Sequence, residues 1–144
     1  MRPPIVQKLI AAVLLGMVFT LTARSAGTAE TTSSAPVPAT STEIWRAIDT
    51  HVQELQAIVA KSELSTVHLH AYAIRDLVRG LPTHSQGLSD AALAKVKEQI
   101  RFVDTLSGRL DQTGDAGDKA STEANLSKLE GILKVIREQY ASEK

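Results

Sequence analysis

Apolar residues recur at intervals of three and four along most of the chain after residue 40, which is the spacing of one face of an α-helix. Four such stripes occur, and each predicts an amphipathic helix. The first stripe comprises Trp45, Ile48, Val52, Leu55 and Val59, and the second comprises Leu64, Val67, Ala71, Ile74 and Val78. The third comprises Leu93, Val96, Ile100, Val103, Leu106 and Leu110, and the fourth comprises Leu126, Leu129, Leu133, Ile136 and Tyr140. The pattern predicts an all-α protein.

Polar and helix-breaking residues predict where these helices begin and end. Thr40 and Glu43 have the spacing of a capping box at the start of the first helix. Ser62 is a candidate N-cap for the second helix, which Gly80 and Pro82 should terminate.

The two remaining helices also have candidate start signals. Either Ser89 or Asp90 can cap the third helix. In "DQTGDAGD" we expect Asp115 to cap the fourth helix, with Asp118 in its first turn. Because all connections are short, the economical arrangement is an antiparallel up-down-up-down four-helix bundle over residues 41–144.

The N-terminus has the composition of an export signal. A basic start, the 15-residue apolar run "LIAAVLLGMVFTLTA" and a small-residue exit predict a secretory signal peptide over residues 1–29, cleaved after Ser25 or Ala29. A bilayer span needs about 20 residues, so an uncleaved membrane anchor is the alternative. Residues 30–40 are rich in Ser, Thr, Ala and Pro and predict a flexible linker. The expected location is therefore periplasmic or secreted.

Composition narrows the function classes. The chain lacks cysteine, which excludes disulfides, thiolate metal sites and covalent haem attachment through C-x-x-C-H. Loss of the three basic residues in the signal would leave 13 of the 16 basic residues against 16 acidic ones, a net charge near −3. This balance predicts no binding to nucleic acid or to an anionic membrane. The expected partner is an unidentified protein or small ligand, and the expected state is a monomer or homodimer.

The segment "FVDTLSGRLDQTGDAGDKASTEANLSKLEGILKVIREQY" consists of a helix, a Gly-Asp turn and a Leu/Lys-rich helix that ends in Tyr. This order, together with the signal peptide, resembles the cytochrome b562-like periplasmic four-helix bundles. The resemblance implies a bundle fold and a periplasmic location. That family ligates haem through a methionine in the first helix and a histidine in the last. The chain has methionine only at Met1 and Met17, and no histidine in its last helix, so the haem ligands are not matched.

The histidines are the candidate metal ligands. His68 and His70 are two positions apart, so on a regular helix they point about 200° away from each other and cannot share an ion. We expect His68 at the edge of the core beside Tyr72, and it is the candidate ligand for weak copper or zinc binding. A turn near Ser62 would separate His51 from His68 by about 7–8 Å in height, at about 1.5 Å per residue. His84 falls in a loop, so no other histidine is expected to join a shared site.

Arg75 has two interpretations, a ligand-binding arginine or a structural ion pair with Glu98, and we favour the ion pair. The chain contains no Glu-x-x-His, no His-Glu-x-x-His and no signature of a catalytic triad. We therefore expect an exported binding or accessory protein without catalytic activity. The alternatives are a redox carrier that holds a cofactor non-covalently, as cytochrome b562 does, and a purely structural interaction module.

Overall fold

The computed structural model describes residues 38–141, and within that range the only regular secondary structure is helical. The four α-helices are α1 (Ser41–Lys61), α2 (Val67–Gly80), α3 (Asp90–Asp115) and α4 (Lys119–Ala141), and two short 3₁₀ turns cover Leu64–Thr66 and Leu81–His84. The prediction of an all-α protein with four helices is confirmed. The predicted signal peptide, and all of the predicted linker except 38–40, lie outside the described residues.

Two helices begin at the caps that the sequence predicts. The backbone N–H of Glu43 donates to Thr40 Oγ1 at 3.2 Å, and the Thr40 hydroxyl donates to Glu43 Oε2 at 3.0 Å. At the start of α3, the backbone N–H of Ala92 donates to Ser89 Oγ at 3.3 Å. The contacts of Glu43 N–H and Ala92 N–H each satisfy a backbone donor that has no partner within its own helix.

The prediction for Ser62 is wrong. Ser62 is the C-cap of α1, with a left-handed backbone at φ 61°, and its N–H reaches the carbonyls of Ile58 and Val59. This geometry closes the end of α1 and cannot open a second helix. The 3₁₀ turn Leu64–Thr66 intervenes before α2 begins.

The N-cap predicted for the fourth helix is also wrong. Asp115 is the last residue of α3, whereas Asp118 Oδ1 accepts from the backbone N–H of Ser121 at 3.0 Å. Hydrogen bonds from Ser121 hold the pKa of Asp118 below its ordinary value. The helices are thus joined through a tight turn in which Gly117 has φ 67°, a backbone conformation that suits glycine.

The core follows the four predicted stripes closely. Most of their residues are buried, and Val52, Ile100 and Tyr140 are partly buried against the cluster. The pattern missed Ile44 and Leu81, which are fully buried, and the buried polar residues Ser107, Thr122 and Asn125. Among residues 38–141, no helix is both long and apolar enough to cross a membrane.

Candidate metal centre

Three potential metal ligands converge between α1 and α2. His51 and Glu54 are three residues apart on α1, so they share one helix face. His70 approaches this face from α2, and its Nδ1 lies 2.8 Å from Glu54 Oε2 and 3.1 Å from His51 Nδ1. The distance from His51 Nδ1 to Glu54 Oε2 is 3.3 Å. We call these three residues the α1–α2 triad.

With Glu54 as a carboxylate, hydrogen atoms alone cannot satisfy the three contacts of the α1–α2 triad. An ionised carboxylate only accepts, so both ring Nδ1 atoms would have to donate to Glu54. Two N–H donors would then face each other across the 3.1 Å that separates His51 Nδ1 from His70 Nδ1. A cation between the three atoms would satisfy every lone pair at once.

The spacing of the triad suits an ion such as zinc, which binds nitrogen and oxygen ligands at about 2.0–2.2 Å. For a triangle with sides of 2.8, 3.1 and 3.3 Å, a point about 2.1 Å from each corner lies about 1.1 Å above its plane. The side chains of His51, Glu54 and His70 are 31%, 48% and 21% exposed. Solvent could therefore supply further ligands on the open side of the ion.

The second group of candidate ligands lies between α2 and α3. Ligand atoms of His68, Asp111 and Asp115 all lie within 4.8 Å of one another. The Tyr72 hydroxyl donates to Asp111 Oδ2 at 2.7 Å, and this bond, foremost, raises the pKa of Tyr72. One oxygen of Asp111 is therefore already occupied by a neutral donor. We call His68, Asp111 and Asp115 the α2–α3 group.

The structure places His68 and His70 in different groups, in keeping with the predicted angle between them. The expectation that no other histidine could join either of them is wrong for His70, which contacts His51. The predicted difference in height separates His51 from His68 but not from His70. With a turn near Ser62, His70 lies level with Glu54, one helical turn from His51. The levels of His51, Glu54 and His70 along the two helices are therefore the sequence signal that indicates this contact.

The remaining candidates lie elsewhere. His84 ends the 3₁₀ turn Leu81–His84 and belongs to neither group. Arg75 does not form the predicted ion pair with Glu98; its Nε donates to Asp76 Oδ1 at 2.9 Å. Its guanidinium also lies 4.5 Å from the centroid of the Tyr72 ring. Arg75 is therefore engaged with residues of its own helix, as a structural residue would be.

The haem ligands of the cytochrome b562-like proteins are not found among the described residues. Both methionines of the chain, Met1 and Met17, precede residue 38, and α4 contains no histidine. Comparisons with protein-family models, with curated proteins and with solved structures find no match to this chain. What the structure supports of this likeness is a small all-helical protein with four helices among the described residues.

Proposed function

We propose that the protein is an exported, non-catalytic helical bundle that binds a transition-metal ion, zinc or copper, through His51, Glu54 and His70. The observation that carries this proposal is the convergence of two imidazole nitrogens and a carboxylate oxygen within 3.3 Å of one another. With a carboxylate at Glu54, hydrogens cannot satisfy all three contacts, whereas a cation can.

The ligand types favour a transition metal over calcium or magnesium. Imidazole nitrogen suits zinc and copper, whereas calcium and magnesium prefer oxygen ligands throughout. Both rings would present Nδ1 to the ion and keep their proton on Nε2. Protons compete with the ion for the same nitrogens, so affinity should fall as the pH is lowered.

The α2–α3 group is the second proposed site, and it retains His68 as a metal ligand. It has one imidazole and two carboxylates, and Asp111 already accepts a hydrogen bond from Tyr72. A metal ion there has only one nitrogen ligand and competes with that bond. We expect binding at this group to be weaker than at the α1–α2 triad.

The proposal includes an antiparallel up-down-up-down course of the helices. Two pairs of contacts support it. Tyr72 meets Asp111 and Arg79 meets Asp104, so residue numbers rise along α2 as they fall along α3. Between α1 and α4, Gln56 donates to Glu130 at 2.8 Å and Lys119 reaches the carbonyl of Ala60 at 3.1 Å, again in opposite order.

Calorimetric titration of the purified chain with zinc and with copper tests the metal proposal. We expect one stoichiometric event of micromolar or tighter affinity, which His70→Ala abolishes. His68→Ala should leave that event unchanged and remove only a weaker one. His84→Ala is the matched control, because His84 belongs to neither group and its loss should change nothing. A tight event that survives His70→Ala would refute the proposal.

Export is tested separately. Mass spectrometry of the chain recovered from its host should show a mature N-terminus after Ser25 or Ala29, because small-residue positions precede both sites. A chain that begins at Met1 in the membrane fraction would instead establish an uncleaved anchor. The absence of catalytic activity, the absence of nucleic-acid binding and the monomeric or homodimeric state stay predictions.

A further inference from the structure

An open cleft of about 670 Å³ lies where α1 begins and α4 ends. Its walls include Trp45, Arg46, Leu88 and Arg137, and none of the six proposed metal ligands lines it. Sites for small molecules have volumes of about 300–1,000 Å³ and combine apolar walls with a few placed polar groups. The cleft falls within this range of volumes and combines Trp45 and Leu88 with a larger number of polar side chains. It is independent of the metal proposal.

Trp45 forms the aromatic wall of the cleft. Its ring meets the Tyr140 ring edge to face, with centroids 6.0 Å apart, and the Arg137 guanidinium lies 4.4 Å from its ring centroid. The side chain is 9% exposed, yet its Nε1 has no hydrogen-bond partner among residues 38–141. An indole N–H only donates, so the buried Nε1 of Trp45 is a donor that lacks an acceptor.

The charges around the cleft are unbalanced. Arg137 is paired with Asp49, which also lines the cleft. Arg46 is exposed, and its guanidinium forms no ion pair or hydrogen bond within the described part of the chain. Among the described residues that line the cleft, two guanidinium groups accompany one carboxylate, so one positive charge has no counterpart within this lining.

We infer that this cleft binds a small organic carboxylate. The planar guanidinium of Arg46 matches a carboxylate group in a two-pronged contact that lysine cannot make. Trp45 and Leu88 supply the apolar surface for the body of the ligand. The volume exceeds what an inorganic ion would fill, so the carbon skeleton of the ligand should contribute to binding.

Trp45 is the single tryptophan of the chain, so its fluorescence reports on the cleft directly. The full chain is titrated with benzoate and with benzamide, a neutral molecule of the same shape. We expect a saturable change with benzoate, and affinity for benzamide at least tenfold lower. Arg46→Gln should weaken benzoate binding at least tenfold, and Arg46→Lys should weaken it less.

Arg101→Gln is the matched control, because Arg101 is an exposed arginine of α3 that does not line the cleft. It removes the same charge from the whole molecule and should leave benzoate binding unchanged. Equal responses to benzoate and benzamide, or a change that never saturates, would overturn the inference. So would a loss of affinity in Arg101→Gln as large as in Arg46→Gln, since that would reduce the effect to net charge.

Discussion

The Nδ1 atom of His70 contacts both a carboxylate and a second imidazole, while His68, two residues earlier, contributes to a group on α3. This difference follows from helix geometry, because residues two apart point in nearly opposite directions. One short segment of α2 thereby places one histidine beside α1 and the other beside α3. The sequence predicts the divergence of the two side chains, but not that each would meet ligands on another helix.

The bond between Tyr72 and Asp111 gives a prediction at the residue scale. Tyr72→Phe should lower the free energy of unfolding at neutral pH by about 1 kcal/mol, the net contribution of a typical hydrogen bond. The bond raises the pKa of Tyr72, so the folded state holds this proton more tightly than the unfolded state does. The stabilisation by this hydrogen bond is therefore complete below pH 10.0, the ordinary pKa of tyrosine. It is lost as the pH rises through the pKa of Tyr72 in the folded state.

Urea unfolding from neutral to strongly alkaline pH measures this effect. The wild-type chain should lose stability above pH 10.0, and Tyr72→Phe should lack this part of the loss. Tyr140→Phe is the control, because it leaves the bond between Tyr72 and Asp111 in place. If Tyr72→Phe and the wild type decline in parallel at high pH, the bond does not contribute as described.

At the scale of the helices, Gly114 lets α3 approach the segment between α1 and α2. A Cβ atom at this buried position would lie 2.9 Å from the Leu64 carbonyl oxygen and 3.2 Å from Val67 Cβ. Gly108 is also in α3, and a Cβ there would meet nothing within 4 Å. The two glycines thus separate the effect of close packing from that of helix propensity.

Gly114→Ala should destabilise the protein by about 1–3 kcal/mol, because backbone must move to make room. Gly108→Ala should instead stabilise it by about 0.5–1 kcal/mol, since alanine is the better helix former. Thermal or urea unfolding of both variants provides the comparison. If Gly114→Ala stabilised the protein as much as Gly108→Ala, the helices would have to be further apart at Gly114 than the structure shows.

The four helices could be predicted because apolar residues recur regularly along each of them. The wrong predictions concern the residues at the helix ends. The sequence predicts Ser62 and Asp115 as N-caps because Ser and Asp can both cap a helix, but spacing alone does not identify which candidate does so. The backbone conformation distinguishes the candidates. Ser62 has a left-handed conformation and ends α1, whereas Asp118 Oδ1 accepts a hydrogen bond from the backbone N–H of Ser121 in the first turn of α4. The predicted pair of Arg75 with Glu98 failed for a related reason, since Asp76 is adjacent and competes for the same guanidinium.

At the scale of the whole molecule, metal binding should increase the free energy of unfolding. An ion that binds only the folded state adds about 2.7 kcal/mol when its concentration is 100 times the dissociation constant. Zinc should therefore raise the melting temperature of the wild-type chain, and a chelator should reverse the rise. His84→Ala should respond like the wild type, and His70→Ala should respond much less. A zinc-induced rise of the same size in His70→Ala would mean that the ion binds elsewhere.

The most direct test of metal binding at the α1–α2 triad is a ¹⁵N NMR spectrum of the histidine side chains during titration with zinc. With one equivalent of zinc, the Nδ1 resonances of His51 and His70 should shift together, and both rings should carry their proton on Nε2. The resonances of His84 should stay in place, and those of His68 should move only after the first equivalent. Nδ1 resonances of His51 and His70 that stay unchanged, or a first shift at His68, would contradict metal binding by the triad.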